Sequence, residues 1–254
     1  MNTIRASKEQ IPSCLDLAEK ITFSAIGAHL SKEGAESVGK WLRSSASGCE
    51  WFMSEHGVCA YDPEESRIVF LGVEENYRRQ GEGTALVDAV RKTAEETNQS
   101  RITANALGSA LEFYKNCGFE ETDRMTEAGE LRFAPVEYLL GRRYLGKTVK
   151  IIIDRPFGSL HPHIADLEYE LNFGYVSGDS FSDGDLQDAW VYGIYEPRDT
   201  FTGTVIAIIY HKNGGSRLVA APSGMMFSKE DVIAAVGFEE QYFDTRIIWA
   251  SSMN

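Results

Sequence analysis

Seven consecutive residues, Arg78-Arg79-Gln80-Gly81-Glu82-Gly83-Thr84, combine the groups needed to hold a phosphate-bearing ligand. Guanidinium donors such as Arg78 and Arg79 suit phosphate oxygens. Gly81 and Gly83 allow the main chain to approach an anion with no Cβ in the way. From Thr84 onward the residues Ala85-Leu86-Val87-Asp88-Ala89-Val90 read as a helix. Amides in a first helical turn lack intrahelical acceptors, and the helix dipole adds partial positive charge there. The stretch therefore predicts an anion cradle in which the N–H groups of Gly81, Gly83 and Thr84 are the ligands. Its spacing is neither that of a dinucleotide fingerprint nor that of a P-loop, which ends in Gly-Lys-Ser/Thr. The plainer alternative is a strand-to-helix turn with both arginines solvated.

A second group with chemistry is Asp183-Gly184-Asp185-Leu186-Gln187-Asp188. Three carboxylates this close repel one another unless a cation or solvent screens them. Carboxylate oxygens suit Mg²⁺, which also bridges phosphate oxygens during attack. A solvated acidic turn is the alternative, since Asp-Gly is a common turn signal. His161-Pro162-His163 with Asp166 reads as a surface loop in preference to a metal clip.

The cradle needs a strand before it, and Ile68-Val69-Phe70-Leu71-Gly72-Val73 supplies one. Ahead of it, Thr3–Ala6 reads as a strand, while Gln10–Gly27 and Ser31–Leu42 have helical spacing. Glu50–Met53, Gly57–Tyr61 and Arg67–Val73 read as an antiparallel meander. The motif helix is expected to end near Asn98, followed by a strand over Arg101–Ala106 and a strand region over Gly129–Leu140. Gly141–Lys147 looks like a junction. Beyond it, Thr148–Ile153, Val191–Tyr195, Thr204–Tyr210 and Arg217–Ala221 read as strands and Ser228–Val236 as a helix. Short strands with one late helix suggest a small closed barrel. The expectation is thus an α/β (α+β) chain of two domains, residues 1–141 and 146–254.

Between the strand at Arg101 and the junction lies Ser109-Ala110-Leu111-Glu112-Phe113-Tyr114-Lys115-Asn116-Cys117-Gly118-Phe119. This stretch and the Arg-x-x-Gly-x-Gly loop, in this order and spacing, resemble the two hallmarks of the GNAT acetyltransferases over about residues 3–140. The resemblance implies a mixed sheet flanked by helices and acetyl-CoA as cosubstrate. It implies that Arg78, Arg79, Gln80, Gly81, Glu82, Gly83 and Thr84 hold the diphosphate. Main-chain groups of Leu71, Gly72 and Val73 would then polarise the thioester, an oxyanion-hole role. Asn105 would meet the pantetheine arm, and Tyr114 would protonate the departing thiolate. A packed core tyrosine is the other reading of Tyr114. Glu50, Glu55 and Glu74 are candidate general bases with no deciding feature. The acceptor, a small-molecule or peptide amine, would lie between the first two helices and the last strand.

In the second half, Asp154-Arg155-Pro156-Phe157, Asn172-Phe173-Gly174-Tyr175 and Asp183-Gly184-Asp185-x-x-Asp188 resemble a short family I inorganic pyrophosphatase over about residues 146–249. That implies an OB-like β-barrel of pyrophosphatase type, with Mg²⁺ held by Asp183, Asp185 and Asp188 and Asp154 near. The match is partial. Arg217 stands where the family has a lysine, Phe243 follows Tyr242 where it has another, and the segment from Ser159 to Tyr169 is short. Two further possibilities follow: an active pyrophosphatase, making the chain bifunctional, or a barrel that serves binding or oligomerisation.

The chain of 254 residues carries a formal net charge of −13. Such a charge disfavours nucleic acid as a partner. No apolar run reaches the length of a membrane span, and Met1–Arg5 lacks a secretory apolar stretch. Cys14, Cys49, Cys59 and Cys117 show no Cys-x-x-Cys spacing, so reduced thiols in a cytoplasm are expected, with Cys117 packing at a helix end. A homodimer is left open.

Overall fold

The computed structural model describes residues 3–26, 31–45, 48–97, 99–128, 131–162, 166–180, 186–212 and 215–250. The chain divides into two compact units, Met1–Ala94 with Arg101–Leu139, and Glu95–Ser100 with Leu140–Asn254.

The first unit contains β1 (Ile4–Arg5), α1 (Ile11–Ile26), α2 (Lys32–Ser45), β2 (Glu50–Met53), β3 (Gly57–Asp62) and β4 (Arg67–Val73). After them come α3 (Glu82–Glu96), β5 (Arg101–Leu107), α4 (Leu111–Asn116), β6 (Glu120–Glu121), β7 (Thr126–Ala128) and β8 (Leu131–Leu139). The strands form one sheet in the order β1-β2-β3-β4-β5-β8-β6, with β7 beside β8. The β4–β5 pair is parallel and its other neighbours are antiparallel, so the sheet is mixed as expected. Helix α1 buries Cys14, Ala18 and Ile21, residues at helical spacing, against Trp51, Val58 and Ala60 of the sheet and Leu42 of α2. Helix α3 buries Leu86, Val87, Val90 and Ala94.

Two irregularities meet in β4. Its pairing with β3 shifts register between Ala60↔Phe70 and Tyr61↔Ile68, which leaves Val69 as an extra residue, a β-bulge. Its parallel ladder with β5 contains only Arg67↔Thr103 and Ile68↔Ala104. Past the bulge, Phe70–Val73 keeps its pairing to β3 and has none to β5.

The second unit contains β9 (Thr148–Arg155), β10 (Asn172–Ser180), β11 (Leu186–Val191), β12 (Thr200–His211), β13 (Ser216–Ala221), α5 (Lys229–Glu240) and β14 (Thr245–Trp249). Pairing runs β9-β10-β11-β13-β12 and returns from β12 to β9, so five strands close a barrel, and β14 extends the sheet beside β12. The β11–β13 contact is parallel and the rest antiparallel. A closed barrel was expected, although its strands are not all those read from sequence. Val191–Tyr195 is not a strand, because β11 ends at Val191 and the chain turns through Gly193 at φ +83. The buried Asn172 side chain holds that turn, donating to the carbonyls of Ile194 and Glu196 and accepting from the amides of Phe157 and Arg198. Strands β10, β11 up to Trp190, and β14 carry no sequence expectation. Helix α5 begins at an N-cap, Ser228, whose hydroxyl accepts from the Asp231 amide. It packs Val232, Val236 and Phe238 on Trp190, Ile209 and Val219.

Among the described residues no helix is long and apolar enough to cross a membrane.

Candidate functional site

The site is built around the β4–α3 connection. Arg79 and Gly81 both take left-handed backbone, at φ +60 and +88, and fold the chain sharply into α3. The Gly81 carbonyl accepts the first helical bond, from the Ala85 amide at 3.0 Å. The amides of Glu82, Gly83 and Thr84 therefore open the helix, and none of them finds a protein acceptor among the described residues. Free amides at a helix start, on an exposed loop, are what an anion cradle requires.

Close packing fixes the cradle from behind. A Cβ on Gly83 would lie 3.1 Å from two ring carbons of Phe113, so the helix start sits directly on α4. The Thr84 side chain bonds the Cys117 thiol at the other end of α4. Arg78 turns its Nε back to the Val73 carbonyl at 3.1 Å, joining the loop to the end of β4. Arg79 is exposed, and Gln80 bonds the Asn76 carbonyl at 3.4 Å.

Glu82 has a different place from its neighbours. Its carboxylate is buried and accepts from the Ser54 hydroxyl at 2.5 Å and the His56 amide at 3.0 Å, with His56 Nδ1 3.0 Å from the other oxygen. Burial pushes this carboxyl up, but the Ser54 and His56 bonds outweigh that and hold it below its usual range. Only the amide of Glu82 is free to meet an anion. Sequence reading missed Ser54 and His56. The one signal was a lone histidine beside Gly57 at a hairpin turn.

Leu71, Gly72 and Val73 lie on the part of β4 that has lost its β5 neighbour. Asn105 is exposed on β5 opposite Pro135, beyond the last paired residue Ala104. The motif thus places the cradle at the open end of a gap between two parting strands.

Tyr114 is buried on α4, edge-on to Phe113 and Phe119 at 5.4 and 5.1 Å. Burial, with the Cys59 and Cys117 thiols beside it, pushes its phenol well above the usual range. No protein group among the described residues hydrogen-bonds its hydroxyl. Cys117 caps the C-terminus of α4 and is buried, in line with a packing role. All four cysteines are free thiols. Of the candidate bases, Glu50 pairs with Arg5 at 2.5 Å, Glu74 pairs with Lys20, and Glu55 stands on the exposed turn beside His56.

In the second unit, Asp183 and Asp185 lie outside the described residues. Asp188 is on β11 opposite Tyr175, and Asp154 is on β9, 3.2 Å from Arg155. Among the described residues no group of three or more metal-ligating side chains assembles. His161 stacks on Tyr169 at 5.4 Å, and His163 lies outside the described residues. Arg217 pairs with Glu239 at 2.9 Å and Glu240 at 2.8 Å, and lies over the rings of Phe173, Trp190 and Phe243. Glu240 also accepts from Trp190 Nε1 and meets His211 Nε2, each within 2.9 Å. Phe243 stacks on His211 at 4.7 Å. The Arg217 cation is thus neutralised by two buried carboxylates of α5.

Comparison with known proteins bears on the first unit. Residues 53–140 match the family model of the acetyltransferase (GNAT) domain. No protein of curated function matches the chain. Among solved structures, a GCN5-related N-acetyltransferase from Rhodopseudomonas palustris is 17% identical with a TM-score of 0.46, covering 55% of this chain and 95% of its own. A ribosomal-protein-alanine N-acetyltransferase from Brucella melitensis is 17% identical with a TM-score of 0.42, covering 55% and 100%. An aminoglycoside 6′-N-acetyltransferase solved with coenzyme A is 12% identical with a TM-score of 0.42, covering 55% and 97%. The family match ends at residue 140 and lends no support to a pyrophosphatase-type second domain.

Proposed function

We propose that the chain is an acetyl-CoA-dependent N-acetyltransferase whose donor lies along the parting edge of β4. The observation that carries this reading is the conjunction of free amides at Glu82, Gly83 and Thr84 with a β4–β5 ladder that ends at Ile68. The diphosphate of the donor is bound by those amides, with Arg78 and Arg79 adding charge. The pantetheine arm fills the gap between β4 and β5, where Asn105 meets it. An amine attacks the thioester carbonyl, and the tetrahedral oxyanion is stabilised by main-chain N–H within Leu71–Val73. The C–S bond then breaks and the acetyl group stays on nitrogen. The Tyr114 phenol, kept protonated by its burial, donates to the leaving thiolate. The proton lost by the amine passes to water or to one of Glu50, Glu55 and Glu74.

The acceptor is a small-molecule or peptide amine, and four free thiols suit a reducing cytoplasm. The test is release of CoA thiol from acetyl-CoA across a panel of amines, including N-terminal peptides. Turnover that Tyr114→Phe reduces while donor affinity holds supports the reading. No turnover with any amine, together with no donor binding, removes it.

For the second unit, the pairing of Arg217 with Glu239 and Glu240 favours a binding or oligomerisation module over hydrolysis of pyrophosphate. Phosphate release from Mg²⁺-pyrophosphate that Asp188→Asn abolishes would reverse that preference and make the chain bifunctional.

A further inference from the structure

The β4–α3 connection is exposed from Glu75 to Gly81, yet a diphosphate cradle works only if its amides are already aimed. One residue outside the loop gathers its attachments. The His56 carbonyl accepts from the Glu74 amide at 2.9 Å, where the loop begins. Its ring stacks on Tyr77 in the middle of the loop, with centroids 3.4 Å apart and planes at 10°. Its Nδ1 and its own amide both meet the carboxylate of Glu82, each at 3.0 Å, where the loop becomes helix. The Ser54 hydroxyl completes the set of donors on that carboxylate at 2.5 Å.

The position of Glu82 sharpens the point. It is the first residue of α3 and carries a negative charge beside amides meant for an anion. A carboxylate there, free to turn, would cap its own helix and compete with the ligand. Instead it is 6% exposed and held by three donors from the β2–β3 turn.

We propose that His56 and Glu82 are positioning residues that clamp the loop and keep its helix-start amides open to the donor's diphosphate. This rests on the donor-binding reading above. The clamp acts on the diphosphate and has no part in holding the pantetheine arm, so two probes separate its effect from a general loss of structure. CoA carries the diphosphate and pantetheine lacks it.

The experiment measures both affinities in wild type, His56→Ala, Glu82→Gln and the double variant. His56→Ala and Glu82→Gln are each expected to weaken CoA by about tenfold and to leave pantetheine within about twofold. The double variant is expected to be no worse than the weaker single one, because both break one linkage. His56→Phe keeps a ring on Tyr77 and loses the Glu82 bond, so it gives an intermediate loss and serves if the alanine variant does not fold. CoA affinity unchanged in His56→Ala and His56→Phe, or fully additive losses, or equal weakening of pantetheine, overturns the clamp. Failure of wild type to bind CoA overturns the donor-binding reading itself.

Discussion

Gly83 and Phe113 are in contact: a Cβ on the glycine would meet the phenylalanine ring at 3.1 Å. Gly83 belongs to the anion loop and Phe113 to the Phe-Tyr stretch thirty residues on. The glycine is thus required by helix packing, apart from the access to a ligand that the proposed function gives it. An alanine at Gly83 gains some helix propensity but pushes α3 off α4. Gly83→Val adds more bulk and is expected to weaken CoA binding at least tenfold. Adding Phe113→Leu should recover part of that loss, as a double-mutant cycle in calorimetry would read. Independent, additive effects would show that the contact does not set the loop.

Tyr114 gives the second prediction. Its hydroxyl bonds no protein group among the described residues, so Tyr114→Phe costs little folding stability. Turnover with an accepted amine is expected to drop by about 10²-fold, the low end for loss of a positioned acid. Because burial raises the phenol above its ordinary value of about 10, no alkaline limb from Tyr114 falls below that pH. A full-rate phenylalanine variant would make Tyr114 a core residue only.

The charged cluster under α5 gives the third. Arg217 faces Glu239 and Glu240, and the second oxygen of Glu239 has no hydrogen-bond partner among the described residues, with His161 Nε2 4.0 Å away. Removing the cation takes the close partner from buried Glu239 and leaves Glu240 with Trp190 and His211 alone. Arg217→Met is expected to destabilise the fold by about 3–5 kcal/mol, the range for breaking a buried pair from one side. Urea denaturation measures it, and a loss under about 1 kcal/mol would mean that water reaches the cluster.

Acid stability follows from Glu240. Burial pushes its carboxyl up, but bonds from His211, Arg217 and Trp190 prevail and hold it below the usual range. A depressed folded-state value favours the fold above the unfolded value of about 4.3. That contribution disappears as pH falls through the lower folded-state value. Melting temperature should therefore decline on acidification below about pH 4.5, and less steeply in Glu240→Gln. Identical slopes for the two proteins would assign the acid loss elsewhere.

Much of the first unit was legible because its signals are local. The Gly81 and Gly83 loop, the period-two meander and the helix spacing of α1 all depend on residues near one another in sequence. The bulge at Val69 and the short β4–β5 ladder were not legible as geometry, since they arise from pairings with β3 and β5. His56 was invisible for the same reason: its partners are Tyr77 and Glu82, both more than twenty residues away. In the second unit, Val191–Tyr195 has the β-branched and aromatic character of a strand. The buried amide of Asn172 bends it into a turn instead. The two carboxylate partners of Arg217 lie on α5, more than twenty residues away in sequence, and could not be read beside it.

Calorimetric titration of acetyl-CoA into the intact protein tests the central claim most directly. Saturable binding of one donor per chain, weakened at least tenfold by Gly83→Val and reduced by added salt through Arg78 and Arg79, is the expected result. No heat of binding, or a heat that these residues do not influence, would contradict it.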